Sequence, residues 1–352
     1  MKTNHRKILI TGNMGYVGPG VETHLRKLIP DVTLVGMDSG IFAHCLTGAE
    51  RLPETIIDQQ IFSDVRDVTP ELLKGVTGIV HLAAISNDPM GKSFESATEA
   101  INHIATVQLA KMAKTAGVRN FVFASSCSMY GAANEEARTE SAPLNPLTAY
   151  ARSKVASEVD LKALANAEFE VTCLRFPTAC GMSPRLRLDL VLNDFVASAI
   201  ANKEIVVLSD GSPWRPLIDV RDMARAIGWA LTRESDTETG FLAVNVGKNE
   251  WNYQVRDLAH AVSDACAGVK VSINTDAAPD NRSYRVNFDL FSSMTSDDLL
   301  IHDLTSSIGL LKEGLENMSF SDGDFRSTQW MRLKVLQKHM DEGAIDKEIR
   351  WV

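Results

Sequence analysis

The sequence lacks several features that would assign it to a specialised class of protein. It contains no apolar run near the roughly 20 residues that a membrane-spanning helix requires. Its formal net charge of −9 argues against nucleic acid as the main partner. The five cysteines are an odd number without the spacing of a metal site, so we predict no metal and expect reduced thiols in the cytoplasm. No internal repeat or low-complexity tract interrupts the chain.

The chain instead alternates regularly between apolar strands and helices. Its 352 residues suffice for one large α/β domain and a smaller one. The apolar residues 8–10 lead into a glycine-rich turn, which predicts a first strand and not a signal peptide. The pattern predicts an α/β fold with a Rossmann-type doubly wound parallel sheet. We predict strands at Lys7–Thr11 and residues 32–37, 78–83, 120–124 and 171–176, and helices at Gly18–Leu28 and residues 97–116 and 150–165.

After Gly181 the alternation loosens into polar, proline-containing loops and scattered helices. We therefore predict a sheet domain at residues 1–180, to which the chain returns around 217–248, and a smaller mixed domain at residues 181–216 and 249–320. The smaller domain should lie above the carboxyl ends of the strands, where α/β proteins bind ligands. We predict a helical extension at residues 321–352, with a helix after Asp324 that either covers the pocket or packs on the body.

A glycine-rich turn follows the first predicted strand. Gly12, Gly15 and Gly18 permit a tight turn and a close backbone approach, so that a pyrophosphate can meet the amides of a helix N-terminus. The second strand leads to Asp38, whose carboxylate can accept both hydroxyls of an adenosine ribose and would repel a 2′-phosphate. The alternative for Asp38 is a turn residue at a strand end. The combination predicts NAD as the cofactor, in preference to NADP.

Two further segments are candidates for contact with the dinucleotide. Leu82, Ala83 and Ala84 end the third strand, where small residues let the backbone lie close to a ligand. Asp64 and Val65 follow a short apolar segment and stand where an adenine amino group could be recognised. A surface-loop aspartate is the open alternative for Asp64.

Tyr150 and Lys154 form the most informative pair in the chain. Four residues apart on a helix, they lie on one face, one turn from each other. An ammonium beside a phenol favours the phenolate, which can take a proton from a sugar or alcohol hydroxyl while hydride leaves the same carbon. Upstream, Ser126 at a strand end can orient the reacting hydroxyl or carbonyl. We interpret the neighbouring Ser125 as a turn cap.

These motifs together resemble an extended short-chain dehydrogenase/reductase of the NAD-dependent epimerase/dehydratase family, which mostly acts on nucleotide-activated sugars. The resemblance covers roughly residues 7–290. It implies catalytic roles for Ser126, Tyr150 and Lys154, and it matches Asn102 to a structural asparagine on the long helix. The cofactor contacts that it implies, besides Asn102, Tyr150 and Lys154, are Gly12, Asn13, Met14, Gly15, Tyr16, Val17, Gly18, Pro177 and Thr178.

The segment that contains Pro177 resembles the one whose backbone faces the nicotinamide amide. It departs from the family pattern, because Thr178 replaces an asparagine and Cys180 replaces a tyrosine.

The resemblance assigns a nucleotide-diphosphate sugar to a second set of side chains. Arg215 resembles the arginine that holds the diphosphate, and its planar guanidinium suits two phosphate oxygens. The alternative is a surface salt bridge. Asn193 stands where relatives contact phosphate, and Arg282 or Arg285 is expected to close on the nucleotide. Ser126 and Ser128 are the predicted sugar contacts.

The residues after Ser126 bear on the reaction. Relatives that act as 4,6-dehydratases carry an Asp-Glu pair where this chain has Cys127 and Ser128, so a dehydratase is disfavoured. We interpret Cys127 as a packed thiol. The resemblance then implies either an epimerase that works through a transient keto-sugar or an NAD(P)H-dependent ketoreductase or dehydrogenase, and Asp38 favours the epimerase.

Two other functional classes fit the sequence less well. A nucleotide-sensing regulator without catalysis would normally have lost Tyr150 or Lys154, and a reductase of a non-nucleotide alcohol would not need Arg215.

Other charged and titratable residues also have structural explanations. His81 and His103 are predicted to be packed in the core or an interface, and Arg185 and Arg187 either meet the substrate or lie in a solvated loop. The resemblance finally implies a homodimer, in which the helices at residues 97–116 and 150–165 pair with a second subunit as a four-helix bundle.

Overall fold

The computed structural model describes residues 6–86, 88–132, 136–233, 239–277 and 283–352. Its strands, in chain order, are β1 Lys7–Thr11, β2 Thr33–Asp38, β3 Gln59–Phe62, β4 Gly78–His81, β5 Asn120–Ser126, β6 Glu170–Phe176, β7 Thr178–Cys180, β8 Glu204–Val207, β9 Trp214–Asp219, β10 Phe241–Asn245, β11 Asn252–Gln254 and β12 Lys270–Ile273. Seven of them form a parallel sheet in the order β10-β6-β5-β4-β1-β2-β3. The order runs outward in both directions from β1, which confirms the predicted doubly wound Rossmann-type fold.

The helices, in chain order, are α1 Gly18–Leu28, α2 Asp88–Ser93, α3 Glu95–Glu99, α4 Ala105–Thr115, α5 Ala149–Leu164, α6 Val191–Asn202, α7 Val220–Thr232, α8 Val255–Ala265, α9 Asp289–Met294, α10 Leu304–Asn317 and α11 Arg332–Asp341. Helix α1 spans the predicted residues, and Pro19 lies in its first turn, where a missing N–H costs nothing. The long helix predicted at residues 97–116 consists of α3 and α4 joined by a π-helical turn at Ala100–Ile104. Within the described ranges, no helix combines the length and apolar character needed to cross a membrane.

The central strands are apolar because helices cover both faces of the sheet. Every residue of β6 is buried, as expected for a strand with no exposed face. Leu109 of α4 and Leu161 of α5 belong to the core on one face, and Val21 of α1 and Ile227 of α7 belong to the core on the other.

The register of the sheet aligns the carboxyl ends of its strands. Thr11 of β1 lies beside Met37 of β2 and His81 of β4, and Ser126 of β5 lies beside Phe176 of β6. The segments that follow these strands therefore meet at one edge of the sheet, which is where this architecture binds ligands.

A second hydrophobic core lies beside the sheet. Helices α6, α8 and α10 pack there with the two-stranded parallel sheet formed by β8 and β12. A small mixed sheet has β9 at its centre, parallel to β7 and antiparallel to β11. The chain then returns to the large sheet through α7 and β10.

The residues after α10 connect the two cores. Phe325 packs in the second core, whereas Leu336 packs in the core of the large sheet. The prediction of a helix directly after Asp324 is wrong, because Phe325–Ser327 forms a 3-10 turn and α11 begins only at Arg332. The Ser327 hydroxyl donates to the Asp324 carboxylate at 2.5 Å, and such side-chain bonds compete with helical hydrogen bonding.

Candidate active site

A cavity of about 1050 Å³ lies over the carboxyl edge of the sheet and reaches the second core. It brings together segments that are far apart in the chain. The predicted site residues that line it are Gly12, Gly15, Tyr16, Val17, Asp38, Asp64, Val65, Leu82, Ala83, Ala84, Ser126, Ser128, Tyr150, Lys154, Pro177, Thr178 and Arg215.

The glycine-rich turn needs its glycines for close backbone packing. Gly12 has a left-handed φ of +72°, and a Cβ at this position would lie 2.5 Å from the Ala83 nitrogen. A Cβ at Gly18 would lie 1.8 Å from the Asn13 carbonyl oxygen. Gly15 faces the cavity, where a side chain would fill the space that a phosphate needs. This cradle fits a dinucleotide pyrophosphate.

Asp38 ends β2 with its carboxylate at the cavity wall. One oxygen accepts from the Met14 amide at 3.1 Å and the other from the Gly40 amide at 2.8 Å. Each carboxylate oxygen has two acceptor sites, so both can still accept a ribose hydroxyl. Burial raises the pKa of Asp38 above its ordinary value, which two backbone amides partly offset.

Asp64 also lines the cavity and is held by a neighbouring arginine. Arg66 donates to it from Nε at 2.9 Å and from Nη2 at 2.5 Å. Burial alone would raise the pKa of Asp64, but the side-chain and backbone hydrogen bonds from Arg66 bring it below its ordinary value. Asp64 is therefore a fixed, ionised acceptor and not a loose surface-loop aspartate.

Four predicted cofactor residues lie behind the cavity wall and not on it: Asn13, Met14, Gly18 and Asn102. Asn13 donates at 2.7 Å to the buried Glu22 carboxylate, and burial raises the pKa of Glu22 to about 8. Asn102 accepts from the Ile85 amide at 2.8 Å and donates to the Ile85 carbonyl at 2.9 Å. The bonds of Asn102 agree with the structural role that the resemblance implied, whereas the cofactor contacts of Asn13, Met14 and Gly18 stay predictions.

Tyr150 and Lys154 lie on the first turns of α5 and face the cavity together. The Lys154 ammonium is 5.6 Å from the centroid of the Tyr150 ring and donates to the Ala124 carbonyl at 2.7 Å. It also lies 4.5 Å from the centroid of the Phe123 ring. Lys154 is only 3% exposed, and burial lowers its pKa to about 7.

Ser126 and Ser128 point to the same part of the cavity. The Ser126 hydroxyl donates to the Ser128 hydroxyl at 2.9 Å and accepts from the Ser128 amide at 3.2 Å. Our interpretation of Ser125 as a turn cap is wrong, because its hydroxyl donates at 2.6 Å to the buried Glu158. Glu158 in turn forms a buried ion pair with Arg175 at 2.7 Å.

We predicted that Cys127, His81 and His103 are packed, and the structure shows how far each one is buried. Cys127 is buried, as predicted, and its thiol contacts the Arg175 carbonyl. His81 is also buried, as predicted, and burial lowers its pKa to about 3. His103 is partly exposed and lies between Glu99 and Asp160. Burial opposes protonation of His103, but hydrogen bonds to the two carboxylates raise its pKa.

The predicted substrate residues are only partly brought together. Arg215 lines the cavity, whereas Asn193 does not, because its amide is used internally. Asn193 accepts from the Gly181 amide at 3.0 Å and donates to the Tyr16 hydroxyl at 3.1 Å. Its predicted phosphate contact is thus replaced by support of Tyr16. Arg285 is also absent from the lining and lies over the Trp214 ring, 5.2 Å from its centroid.

Arg282 lies outside the described residues, so the choice between it and Arg285 stays a prediction.

Arg187 lines the cavity, a position that the sequence did not decide. Its guanidinium pairs with Asp189 at 2.8 Å and donates to the Ser86 hydroxyl at 2.7 Å. Burial alone would lower the pKa of Arg187, but Asp189 raises it. Arg185 is fully buried and pairs with Glu54 at 2.7 Å. The solvated-loop alternative is therefore wrong for both arginines.

The extension after residue 320 supplies a set of cavity residues that the sequence did not reveal: Arg326, Met331, Arg332 and Ile349. Arg326 pairs with Asp194 at 2.6 Å, and Arg332 donates to the Leu186 carbonyl at 3.1 Å. No motif in the sequence marks these residues. Each reaches the cavity only because the chain folds back across both cores.

Among the described residues, no cluster of three or more His, Cys, Asp or Glu side chains is arranged to hold a metal ion.

Comparison with known proteins gives the family of this chain. The model of the NAD dependent epimerase/dehydratase family matches residues 8–247. UDP-glucose 4-epimerase of Corynebacterium glutamicum is 28% identical over 271 residues, which cover 72% of this chain and 78% of that protein. The dTDP-D-glucose 4,6-dehydratase of Mus musculus is 26% identical over 306 residues, which cover 85% of this chain and 83% of that protein.

A solved structure shares the fold. UDP-glucuronic acid 4-epimerase from Bacillus cereus, in complex with UDP-glucuronic acid and NAD, superimposes with a TM-score of 0.74. The two chains are 21% identical, and the match covers 89% of this chain and 99% of the other. Because the family model matches more than half of its residues, this chain belongs to the NAD dependent epimerase/dehydratase family and is an NAD-dependent enzyme.

Proposed function

We propose that this enzyme is an NAD-dependent nucleotide-sugar epimerase that works through a transient keto-sugar. One observation carries the proposal: Tyr150 and Lys154 face the same cavity as the glycine-rich turn and Arg215. A sugar held by its diphosphate at Arg215 can therefore reach the phenol and the cofactor at once.

Tyr150 is the proposed acid and base. As phenolate it accepts the proton of the sugar hydroxyl, and it returns that proton to the carbonyl oxygen when the keto-sugar is reduced on its other face. NAD, when bound, supplies a hydride acceptor that later gives the hydride back. The reaction is redox-neutral overall, because the sugar regains the hydride and the proton that it lost.

Lys154 and Ser126 assist Tyr150 in this proposal. Lys154, whose Nζ lies 5.6 Å from the phenol ring centroid, stabilises the phenolate by its charge when it is protonated. The Ser126 hydroxyl can donate to the sugar oxygen, because its bond to Ser128 is one between two neutral hydroxyls and is easily exchanged.

The cofactor and the diphosphate have separate proposed contacts. The backbone of the glycine-rich turn, the Asp38 carboxylate and the ionised Asp64 suit the pyrophosphate, ribose and adenine of NAD. Arg215 suits the diphosphate of the sugar nucleotide, and Arg187, whose charge is balanced by Asp189, lines the same cavity.

A direct test is epimer formation. The purified enzyme would be incubated with UDP-glucose, UDP-galactose or UDP-glucuronic acid, and the products separated by chromatography, with Tyr150→Phe as the control. Denatured protein would be analysed for released NAD. Near-stoichiometric NAD and a new epimer without added cofactor support the epimerase. An empty protein that consumes NADH or NADPH with a keto-sugar would identify the alternative, a ketoreductase.

Two exposed apolar side chains support the proposed homodimer, because they lie on the helices that would form it. Ile104, in the π-helical turn, is 47% exposed, and Val159 of α5 is 64% exposed. Apolar side chains of this size on adjoining helices suit contact with a second copy. Light scattering coupled to size-exclusion chromatography tests this, and a monomeric mass would exclude it.

A further inference from the structure

The chain beyond α11 folds against the end of the cavity that contains Asp38 and Asp64. We call residues 345–352 the terminal segment. It lies outside residues 8–247, which match the family model. Ile349 of this segment lines the cavity. The Trp351 indole donates to the Ser39 carbonyl at 2.7 Å, directly after Asp38.

Ile349 has an unusual backbone conformation. Its φ is +59°, in the left-handed region that β-branched residues rarely adopt, and its side chain is 2% exposed. Asp346 organises the turn that holds it, since the Asp346 carbonyl accepts from the Ile349 amide at 3.0 Å. The Asp346 carboxylate accepts from the Glu348 and Arg350 amides at 2.9 Å each. Such a conformation persists only where its surroundings impose it.

Arg66 joins the terminal segment to Asp64. Its Nη1 donates to the Glu348 carbonyl at 2.8 Å, and its Nη2 donates to the Ile349 carbonyl at 3.3 Å. The same guanidinium binds both oxygens of Asp64. The position of the Ile349 side chain and that of the Asp64 carboxylate therefore depend on one arginine.

The opposite side of the segment packs on the loop after β2. The His339 ring lies 5.3 Å from the His44 ring and 5.3 Å from the Trp351 ring, measured between centroids. His339 also contacts the Ile41 carbonyl at 3.1 Å, and Ile41 lines the cavity. Arg350 of the terminal segment also forms an ion pair at 2.7 Å with Asp67, which follows β3.

We propose that the terminal segment forms the outer wall of the adenosine pocket, with the Ile349 side chain packed on the adenine ring. The proposal rests on the proposed function, which assigns the Asp38 and Asp64 end of the cavity to the adenosine of NAD. Cofactor retention then depends on a part of the chain that the family match does not include. Ile349 then contributes to the specificity for the adenine of the cofactor, because an apolar side chain packs well against a planar base.

The test compares NAD with ADP-ribose, which carries the adenosine end without the nicotinamide. Ile349→Asn removes the apolar branch, and asparagine tolerates a left-handed φ, so the turn can be kept. We expect this variant to bind both ligands about four-fold more weakly, because the side chain is already buried without ligand and only its cavity-facing edge, roughly one methyl group, can contact the adenine. Isothermal titration on cofactor-stripped protein measures both affinities.

The matched control is Ile345→Val, which trims a buried residue of the same segment that is absent from the cavity lining. It should bind ADP-ribose within a factor of two of the parent, an expectation that follows from roughly one lost methylene outside the site. Ile349→Asn protein that binds ADP-ribose as tightly as the parent would overturn the inference and leave the epimerase proposal intact. A parent protein that binds neither ligand would overturn both.

Amide hydrogen exchange provides a second test that needs no variant. ADP-ribose should slow exchange at residues 345–351 of the parent protein. Unchanged exchange there, with ADP-ribose bound, would contradict the proposed wall even if Ile349→Asn failed to fold.

Discussion

The Lys154 ammonium lies 5.6 Å from the centroid of the Tyr150 ring while it donates to the Ala124 carbonyl at 2.7 Å. The carbonyl belongs to β5 and the two side chains to α5, so a strand end fixes the position of the charge relative to the phenol. An ammonium held beside a phenol favours the phenolate, which is the form of Tyr150 that the proposed reaction needs.

Tyr150→Phe should remove the acid and base of the proposed reaction without changing the cavity. We expect kcat to fall by about 10²- to 10⁴-fold, the usual contribution of a positioned general acid or base. The affinity for NAD should stay near that of the parent. Steady-state epimerisation assays with NAD titrations measure both, and an unchanged kcat would contradict the proposed role.

Lys154→Met should raise the stability of cofactor-free protein below neutral pH while it reduces activity. The pKa of Lys154 is about 7 in the fold, against roughly 10.4 for an unfolded lysine, so between these values only the unfolded chain binds the proton. Burial of the charge therefore destabilises the parent at pH 7 and below, and this penalty fades toward pH 10.

Thermal melts of cofactor-free protein between pH 6 and 10 check the Lys154 prediction. The Tm gain of Lys154→Met should be largest at the acidic end and shrink as the pH rises. Lys111→Met, at an exposed position of α4, serves as the control and should show no such trend. A Tm difference for Lys154→Met that does not vary with pH would refute the argument.

Glu22→Gln should stabilise the protein at alkaline pH. The pKa of Glu22 is about 8 in the fold, because burial favours the protonated acid, and its second oxygen has no partner among the described residues. Between the ordinary value and pH 8 only the folded chain keeps the proton, so the parent loses stability as the pH rises through this range.

The amide has no proton to lose, so the stability difference between Glu22→Gln and the parent should grow with pH. It should grow by at most about 1.4 kcal/mol per pH unit and level off above pH 8. Urea unfolding at pH 5.5, 7 and 8.5 measures it, with Glu313→Gln at an exposed position as the control. Equal differences at all three pH values would contradict the prediction.

Arg215→Ala should weaken binding of the nucleotide sugar. A hydrogen bond to a charged group is worth about 1.5–3 kcal/mol, so KM should rise by about 10- to 100-fold with a smaller effect on kcat. Arg256→Ala removes an exposed arginine that binds Gln254 in the neighbouring segment and should leave KM unchanged. An Arg215→Ala enzyme with the parent KM would instead favour a substrate without a diphosphate.

The sequence predicted the parts of this enzyme that depend on local pattern. The bounds of β1 and α1 follow from an apolar run, a glycine-rich turn and a proline in the first helical turn. The face shared by Tyr150 and Lys154 follows from the four-residue spacing in α5. Such features need only neighbours in the chain, so they can be inferred without a structure.

Asn193, by contrast, stands in a sequence context that suggested phosphate contact, yet its amide is buried against Tyr16 and Gly181. Whether a polar side chain faces a ligand or the protein depends on which segments pack around it. That information is absent from the local sequence.

The sequence by itself determined the sheet, the glycine-rich turn and the Tyr150–Lys154 pair, because strand and helix periodicity and the needs of a tight turn are local. Only the tertiary structure decided that Arg187 faces the cavity and that Ile349 reaches the Asp38 end of it. Both depend on contacts across long stretches of chain, such as the bond of Arg66 to the Ile349 carbonyl, which no periodicity encodes.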